Sequence, residues 1–165
     1  MSVAFTKEGD SEAAAADLPD RPVSQHTNYV TVAGLAQIDA ALALARADYS
    51  AAQAAGGIGS DRTAMARASR DLRYWTARRA TAQLVESGPS DTVRFGSRVM
   101  FERDDGRRTS YAIVGEDEAD PANGSVSHVS PVARALIGKT LGDVAMLAGS
   151  EIEIVGITQA APAPQ

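Results

Sequence analysis

The stretch that decides the fold is Tyr111–Asp120, YAIVGEDEAD, together with Val129–Lys139, VSPVARALIGK. The first stretch predicts a strand that runs into a loop rich in carboxylates. That loop holds four acids in five residues, which cannot all be buried, so it is either solvated or in contact with a basic partner. In the second stretch Pro131 opens a short helix, Val132–Ile137, and Gly138 ends it.

Alternating apolar residues around these stretches predict further strands. Arg98–Glu102 and Ser110–Val114 flank Asp104-Asp105-Gly106, a sequence typical of a hairpin turn. Ser125–Val129 and Glu151–Ile154 complete the set. The C-terminal half is therefore expected to form a small, mainly antiparallel sheet with one short helix.

The preceding region predicts two helices. Thr31 is a candidate N-cap of the first helix, which extends to about Gln53. Apolar residues at steps of three and four form a stripe along this helix: Leu35, Ile38, Leu42, Ala45, Tyr49 and Ala52. Glycines at 56, 57 and 59 reverse the chain. A second helix, capped by Ser60 or Asp61, is expected to run to about Glu86. Its apolar stripe, which only Arg79 interrupts, is formed by Met65, Ala68, Leu72, Trp75 and Ala82. The spacing favours an antiparallel coiled-coil hairpin and an α+β fold class overall.

The expected division of the chain has four parts. Residues 1–28 are acidic and rich in alanine and proline, which predicts a disordered tail or, as the alternative, an acidic arm that contacts a partner. Residues 29–87 form the hairpin, residues 92–157 form the β domain, and residues 158–165 form a second tail.

Composition excludes several classes of protein. The chain has no cysteine and two histidines, so disulfides are excluded and a zinc or other metal site of its own is not expected. The net charge of −5 argues against general binding to duplex DNA. No apolar run approaches the ~20 residues that span a membrane, which predicts a cytoplasmic protein with no membrane partner. No nucleophilic triad or phosphate-binding loop is present, so an independent enzyme is not expected.

The second predicted helix concentrates positive charge. It carries six arginines, from Arg62 to Arg79, and Asp71 is the only acid among them. At about 100° per residue, Arg67, Arg70 and Arg78 lie on one side, where they form either a solvated face or a strip that contacts an RNA backbone.

The order and spacing of "VGEDEAD", "VSPVARALIGK" and the following Gly142-Asp143 resemble the C-terminal domain of the bacterial Gre transcript-cleavage factors. The resemblance spans about residues 29–157 and implies an N-terminal coiled coil and an FKBP-like C-terminal domain. It implies docking on the rim of the RNA polymerase secondary channel, with the coiled coil entering the channel near the nascent RNA. The docking surface that it implies is formed by Asp117, Glu118, Asp120, Ser130 and Pro131.

The tip of the hairpin departs from the family pattern. Active Gre factors resemble one another in an acidic pair within a "GDLKENAEY"-like segment, which helps to hold a second magnesium ion at the polymerase active site. Matching Gly59 to the glycine of that segment places Ser60 and Thr63 at the acidic positions, and a shift of one residue places Asp61 and Ala64 there.

Three interpretations follow for the function. The preferred one is a secondary-channel protein that modulates elongation with weak or no stimulation of cleavage, and with no cofactor beyond the magnesium of the polymerase. The second is an active cleavage factor that uses Asp61. The third is a regulatory binding module of the same fold, similar to the regulators of nucleoside diphosphate kinase.

Overall fold

The computed structural model describes residues 18–56 and 62–160. The chain divides into two compact units. Of the described residues, the hairpin unit comprises residues 18–25, 38–56 and 62–81, and the sheet unit comprises residues 26–37 and 82–160. Within the described residues, no helix is both long enough and apolar enough to cross a membrane.

Two helices pack as a hairpin, as the sequence predicts. Helix α1 spans Val32–Ala54 and helix α2 spans Arg62–Thr81. The predicted stripe of α1 is confirmed, since Ile38, Leu42 and Ala45 are buried while most other positions of the helix are exposed. On the outside of the hairpin, Arg79 Nε donates to Asp39 Oδ1 at 2.5 Å. An exposed pair of this kind contributes little to stability, so the apolar stripe holds the helices together.

The C-terminal end of α2 differs from the prediction in two respects. The helix ends at Thr81 and not near Glu86, because Gln83 N–H leaves the helical pattern and donates to Asn28 O at 2.8 Å. Arg79, predicted to interrupt the buried stripe, is exposed, whereas Arg78 is buried with 1% of its surface accessible. The helical spacing places both arginines next to the apolar stripe, so only the tertiary packing decides which of the two side chains is buried.

A segment before the hairpin lies on α2 within the hairpin unit. Asp20 accepts a hydrogen bond from Arg73 Nε at 2.9 Å. The Arg21 guanidinium lies 3.7 Å from the centre of the Tyr74 ring and 3.3 Å from an Asp71 carboxylate oxygen. These contacts combine a cation–π interaction with two ion pairs. The first 17 residues of the predicted tail, and residues 161–165 of the second, lie outside the described residues.

The sheet unit is built on a sheet of five strands. They are β3 (Ser97–Arg103), β4 (Arg108–Val114), β5 (Ser125–Ser127), β6 (Val144–Leu147) and β7 (Ser150–Gln159). They lie side by side in the order β5-β4-β3-β7-β6. Three of the four pairings are antiparallel, but β5 runs parallel to β4, so the sheet is mixed. The α+β class is confirmed. Strand β6 and the extension of β7 to Gln159 were not predicted.

One face of this sheet and a short helix, α3 (Pro131–Leu136), enclose the core. The Ser130 side chain caps α3 by accepting from Ala133 N–H at 3.1 Å, and Pro131 occupies the first helical position, as predicted. The buried core residues are Val93, Val99, Phe101, Ile113, Val126, Ala133, Leu136, Ala145, Leu147, Ile152 and Ile154.

Within the sheet unit, the segment before α1 contacts two distant parts of the chain, residues 83–84 and the acidic loop. Strand β1 (Tyr29–Val30) pairs in parallel with β2 (Gln83–Leu84). The Thr31 hydroxyl accepts from Gly34 N–H at 3.0 Å, which confirms the predicted N-cap of α1. The same hydroxyl donates to Glu118 Oε1 at 2.5 Å, so one side chain both caps the helix and holds the acidic loop.

Replacing Thr31 tests this double role. Thr31→Val keeps the shape of the side chain but removes the hydroxyl, leaving Gly34 N–H and Glu118 without their partner. We expect a loss of about 1–2 kcal/mol in the free energy of unfolding, measured by urea denaturation. Thr31→Ser retains the hydroxyl and serves as the matched control. Equal stabilities for the valine and serine variants would contradict the role assigned to this hydroxyl.

Candidate functional site

The acidic segment Glu116–Asp120 follows the buried end of β4 and is held in a defined turn. Asp120 N–H donates to Ser125 Oγ at 2.8 Å, and Ser125 N–H donates to Asp120 O at 3.0 Å. The Asp120 carboxylate accepts from Asn123 Nδ2 at 2.6 Å and remains exposed. The turn therefore presents one carboxylate in a fixed position at the surface.

The other carboxylates of the segment are less accessible. Asp117 and Glu116 are half-buried and have contacts within the protein. Glu118 accepts from Thr31 through one oxygen, and its second oxygen is buried without a hydrogen-bond partner among the described residues. That oxygen packs against Gly34, where an added Cβ would lie 2.4 Å away. Glu118 is thus positioned to hold the start of α1 and is poorly placed to meet an external cation.

Ser130 and Pro131 lie at the start of α3, and the Ser130 hydroxyl is occupied by its capping bond. Pro131 is exposed. The structure therefore gives Ser130 a positioning role, while Pro131 offers an accessible apolar surface.

An aromatic cluster near this site was not predicted from the sequence. The rings of Tyr29, Phe95 and His128 lie 5.5–5.8 Å apart, centre to centre, in tilted and edge-on arrangements. The Nδ1 atom of His128 is buried, and no group in residues 18–56 or 62–160 forms a hydrogen bond with it. Because the three residues are widely separated along the chain, no local pattern indicates their contact.

The three arginines proposed for RNA contact differ in exposure. Arg67 is exposed, Arg70 is half-buried and lies 3.7 Å from an Asp71 carboxylate oxygen, and Arg78 is buried. The accessible positive charge on this side of α2 therefore comes from Arg67 and, in part, Arg70.

The sheet unit also contains an open groove of about 610 Å³. Its floor is the sheet face opposite the core, where Arg98 lies beside Ala112, and the first turn of α1 forms one wall. Arg98 makes no hydrogen bond or ion pair with the described residues, so its guanidinium is available to solvent or to a ligand. No motif in the sequence indicates a role for Arg98.

Within residues 18–56 and 62–160, no three histidine, aspartate or glutamate side chains are grouped so that they could hold a metal ion. The hairpin tip, residues 57–61, lies outside the described residues, and Asp61 with it. The roles considered for Asp61 and for the tip therefore stay predictions.

The sheet unit is the part of the chain that matches a known protein family. Residues 88–160 match the family model described as "Transcription elongation factor, GreA/GreB, C-term". The transcription elongation factor GreB of Haemophilus influenzae is 46% identical over 76 residues, which cover 45% of this chain and 48% of that protein. The transcription elongation factor GreA of Methylobacterium nodulans is 48% identical over 71 residues, covering 40% and 45% respectively.

Among solved structures, GreA factor homolog 1 of Thermus thermophilus is 23% identical and aligns with 81% of this chain and 99% of its own, at a TM-score of 0.39. The chain spans about half the length of the curated relatives that it matches. Residues 88–160, which carry the acidic turn and the capped helix α3, are therefore similar to the C-terminal region of the GreA/GreB transcription elongation factors.

Proposed function

We propose that this protein binds bacterial RNA polymerase through the sheet unit and modulates transcription elongation by placing its helical hairpin in the secondary channel. The observation that supports the proposal is the family match over residues 88–160. The matched region includes the exposed carboxylate of Asp120 and the exposed Pro131. A surface that combines a fixed anion with an apolar side chain suits a basic partner with a matching apolar patch.

The hydrogen bonds of the acidic turn refine the proposed docking residues. Asp120 is exposed on a turn that its own backbone and Ser125 fix, so little ordering is needed on binding. Asp117 is a second candidate from the same segment. Glu118 is occupied by Thr31, so we assign it to holding the turn in place and not to direct contact with the polymerase.

Charge reversal at Asp120 tests the docking surface. We expect Asp120→Lys to weaken binding to the RNA polymerase core enzyme by at least about tenfold, because the fixed carboxylate is replaced by a like charge facing a basic partner. Binding can be measured by fluorescence anisotropy with a labelled protein at two salt concentrations. The matched control is Asp104→Lys, which makes the same charge change at an exposed position in the β3–β4 turn. Equal affinities for the two variants would contradict docking through the acidic turn.

The accessible arginines of α2 support a contact with RNA inside the channel. Arg67 is the exposed member, and Arg70 is partly accessible beside Asp71. A guanidinium is well suited to a phosphate oxygen, and two arginines one helical turn apart can follow a short stretch of backbone. Arg78 is buried in this structure and is left out of the proposed contact.

Neutralising these arginines tests the RNA contact separately from docking. We expect Arg67→Gln combined with Arg70→Gln to reduce crosslinking to the 3′ RNA of a backtracked complex, with little change in affinity for the polymerase. The control is Arg46→Gln, which removes an exposed arginine from α1. Crosslinking that survives the double substitution would show that these side chains are simply solvated.

The sequence of the tip supports modulation more than cleavage. Asp61 is the one acidic residue between Ala55 and Ala64. Mg²⁺ is small and strongly hydrated, and more than one carboxylate helps to retain it. We therefore propose weak or no stimulation of RNA cleavage, with competition for the channel as the main effect.

Transcript cleavage in a halted, backtracked complex at fixed magnesium tests this proposal. We expect no shortening of the RNA by this protein alone, and inhibition of the shortening that an active Gre factor produces. We also expect Asp61→Asn to behave like the unsubstituted protein, because one carboxylate contributes little to holding the ion. Magnesium-dependent shortening that Asp61→Asn abolishes would instead identify an active cleavage factor.

A further inference from the structure

Strand β6 forms one edge of the five-stranded sheet, and its outer side carries no partner strand among the described residues. The strand reads Val-Ala-Met-Leu, with Ala145 and Leu147 buried in the core. Val144 and Met146 point to the opposite face, where 50% and 59% of their surfaces are exposed. Strand β6 contains neither lysine nor proline, the residues that commonly protect a sheet edge from pairing with another chain.

The hydrogen bonds between β6 and β7 determine which backbone groups face the open edge. Ile154 N–H donates to Asp143 O at 2.9 Å, and Gly142 N–H donates to Ile154 O at 2.8 Å. Since Gly142 has a φ of +82°, this is a glycine bulge that starts the ladder. Bonded and non-bonded pairs alternate along an antiparallel ladder. Val144 and Met146 therefore occupy the non-bonded positions, and their N–H and C=O groups point outwards.

Acidic side chains flank both exposed apolar residues. Val144 lies opposite Glu153 and Met146 lies opposite Glu151 on β7, and both glutamates are exposed. Residues at such positions have Cβ atoms about 4.5–5.5 Å apart. Asp143 adds a third carboxylate next to the strand; a hydrogen bond from Thr140 N–H holds its pKa below the usual value, so it is ionised at neutral pH. The open edge thus combines free backbone groups, apolar side chains and negative charge.

We propose that the β6 edge is a docking site for an extended segment of a partner protein, a segment in which basic and apolar side chains alternate. The segment would add a sixth strand beside β6 and bond to the outward groups of Val144 and Met146. A lysine on the exposed face would lay its aliphatic stem against these side chains. Its ammonium group would then reach Glu151 or Glu153, about 10 Å away across two strand spacings.

The charges also argue against a second copy of this chain as the occupant. Antiparallel pairing of two β6 strands would bring Asp143, Glu151 and Glu153 of both copies to one small surface. Like charges at such spacing oppose association.

Strand β6 is short, because the Gly142 bulge and the Ala148-Gly149 turn bound it. It offers four outward backbone groups, the N–H and C=O of Val144 and of Met146. So few hydrogen bonds suit a weak and reversible contact with the partner segment. The inference is independent of the binding to polymerase proposed above.

A blocked hexapeptide of alternating lysine and valine is a suitable probe, added to the full-length ¹⁵N-labelled protein. We expect its addition to shift the amide resonances of Val144 and Met146, and the affinity to fall with salt. Two control peptides separate the contributions. One carries glutamate in place of lysine, and the other carries N-methyl groups on the amides that would face β6. Both should bind at least about tenfold more weakly.

Variants of the protein test the same contact from its other side. Met146→Pro removes an N–H that points outwards, so the β6–β7 ladder is retained while peptide binding is lost. The double variant Glu151→Gln, Glu153→Gln should retain the fold and lose the preference for lysine over glutamate. Amide shifts confined to other parts of the protein, or equal binding of the lysine and glutamate peptides, would overturn the proposal. Concentration-dependent shifts at Val144 and Met146 without peptide would also overturn it, because they would identify a second copy as the occupant.

Discussion

The sheet unit depends on a close approach between two distant parts of the chain, residues 28–34 and residues 114–118. A Cβ on Gly115 would lie 2.6 Å from Tyr29 O, and a Cβ on Gly34 would lie 2.4 Å from Glu118 Oε2. Glycine at both positions therefore lets backbone and carboxylate come within contact distance. The Thr31 hydroxyl completes the approach by joining the first turn of α1 to Glu118. In this way the segment that begins α1 and the loop that carries Asp120 are fixed by the same set of contacts.

This arrangement explains why Glu118 and Asp120, two acids of the same loop, have different roles. A charged group next to helix N–H groups is favoured by the helix dipole, and Glu118 occupies that position at α1. Asp120 is instead held by Asn123 and by the turn that Ser125 closes, which leaves it at the surface. Glu118 therefore holds the loop against the start of α1, while Asp120 stays exposed at the far end of the same loop.

The sequence was most informative where local physics decides the structure. The stripe of α1, its cap at Thr31, the Asp104-Asp105-Gly106 turn and the opening of α3 at Pro131 were all predicted, since each depends on residues within a few positions. The predictions were wrong where distant contacts decide. The bond from Gln83 N–H to Asn28 O joins residues 55 positions apart and ends α2 before the apolar pattern does. The parallel pairing of β5, the burial of Arg78 and the Tyr29–Phe95–His128 cluster are equally non-local. For the site, the sequence indicated the acidic segment as a group but not the occupation of Glu118 by Thr31.

The sheet order separates the two surfaces to which partners are assigned. The acidic turn connects β4 to β5 at one edge of the sheet, and β6 forms the other edge. Four strand spacings of about 4.8 Å lie between β5 and β6, so the two edges are roughly 19 Å apart. A partner strand added at β6 would extend the sheet away from Asp120 and would not cover it. Contact at one edge therefore leaves the other sterically open. The shared negative charge means that both surfaces favour basic partners, and increasing salt should weaken both contacts together.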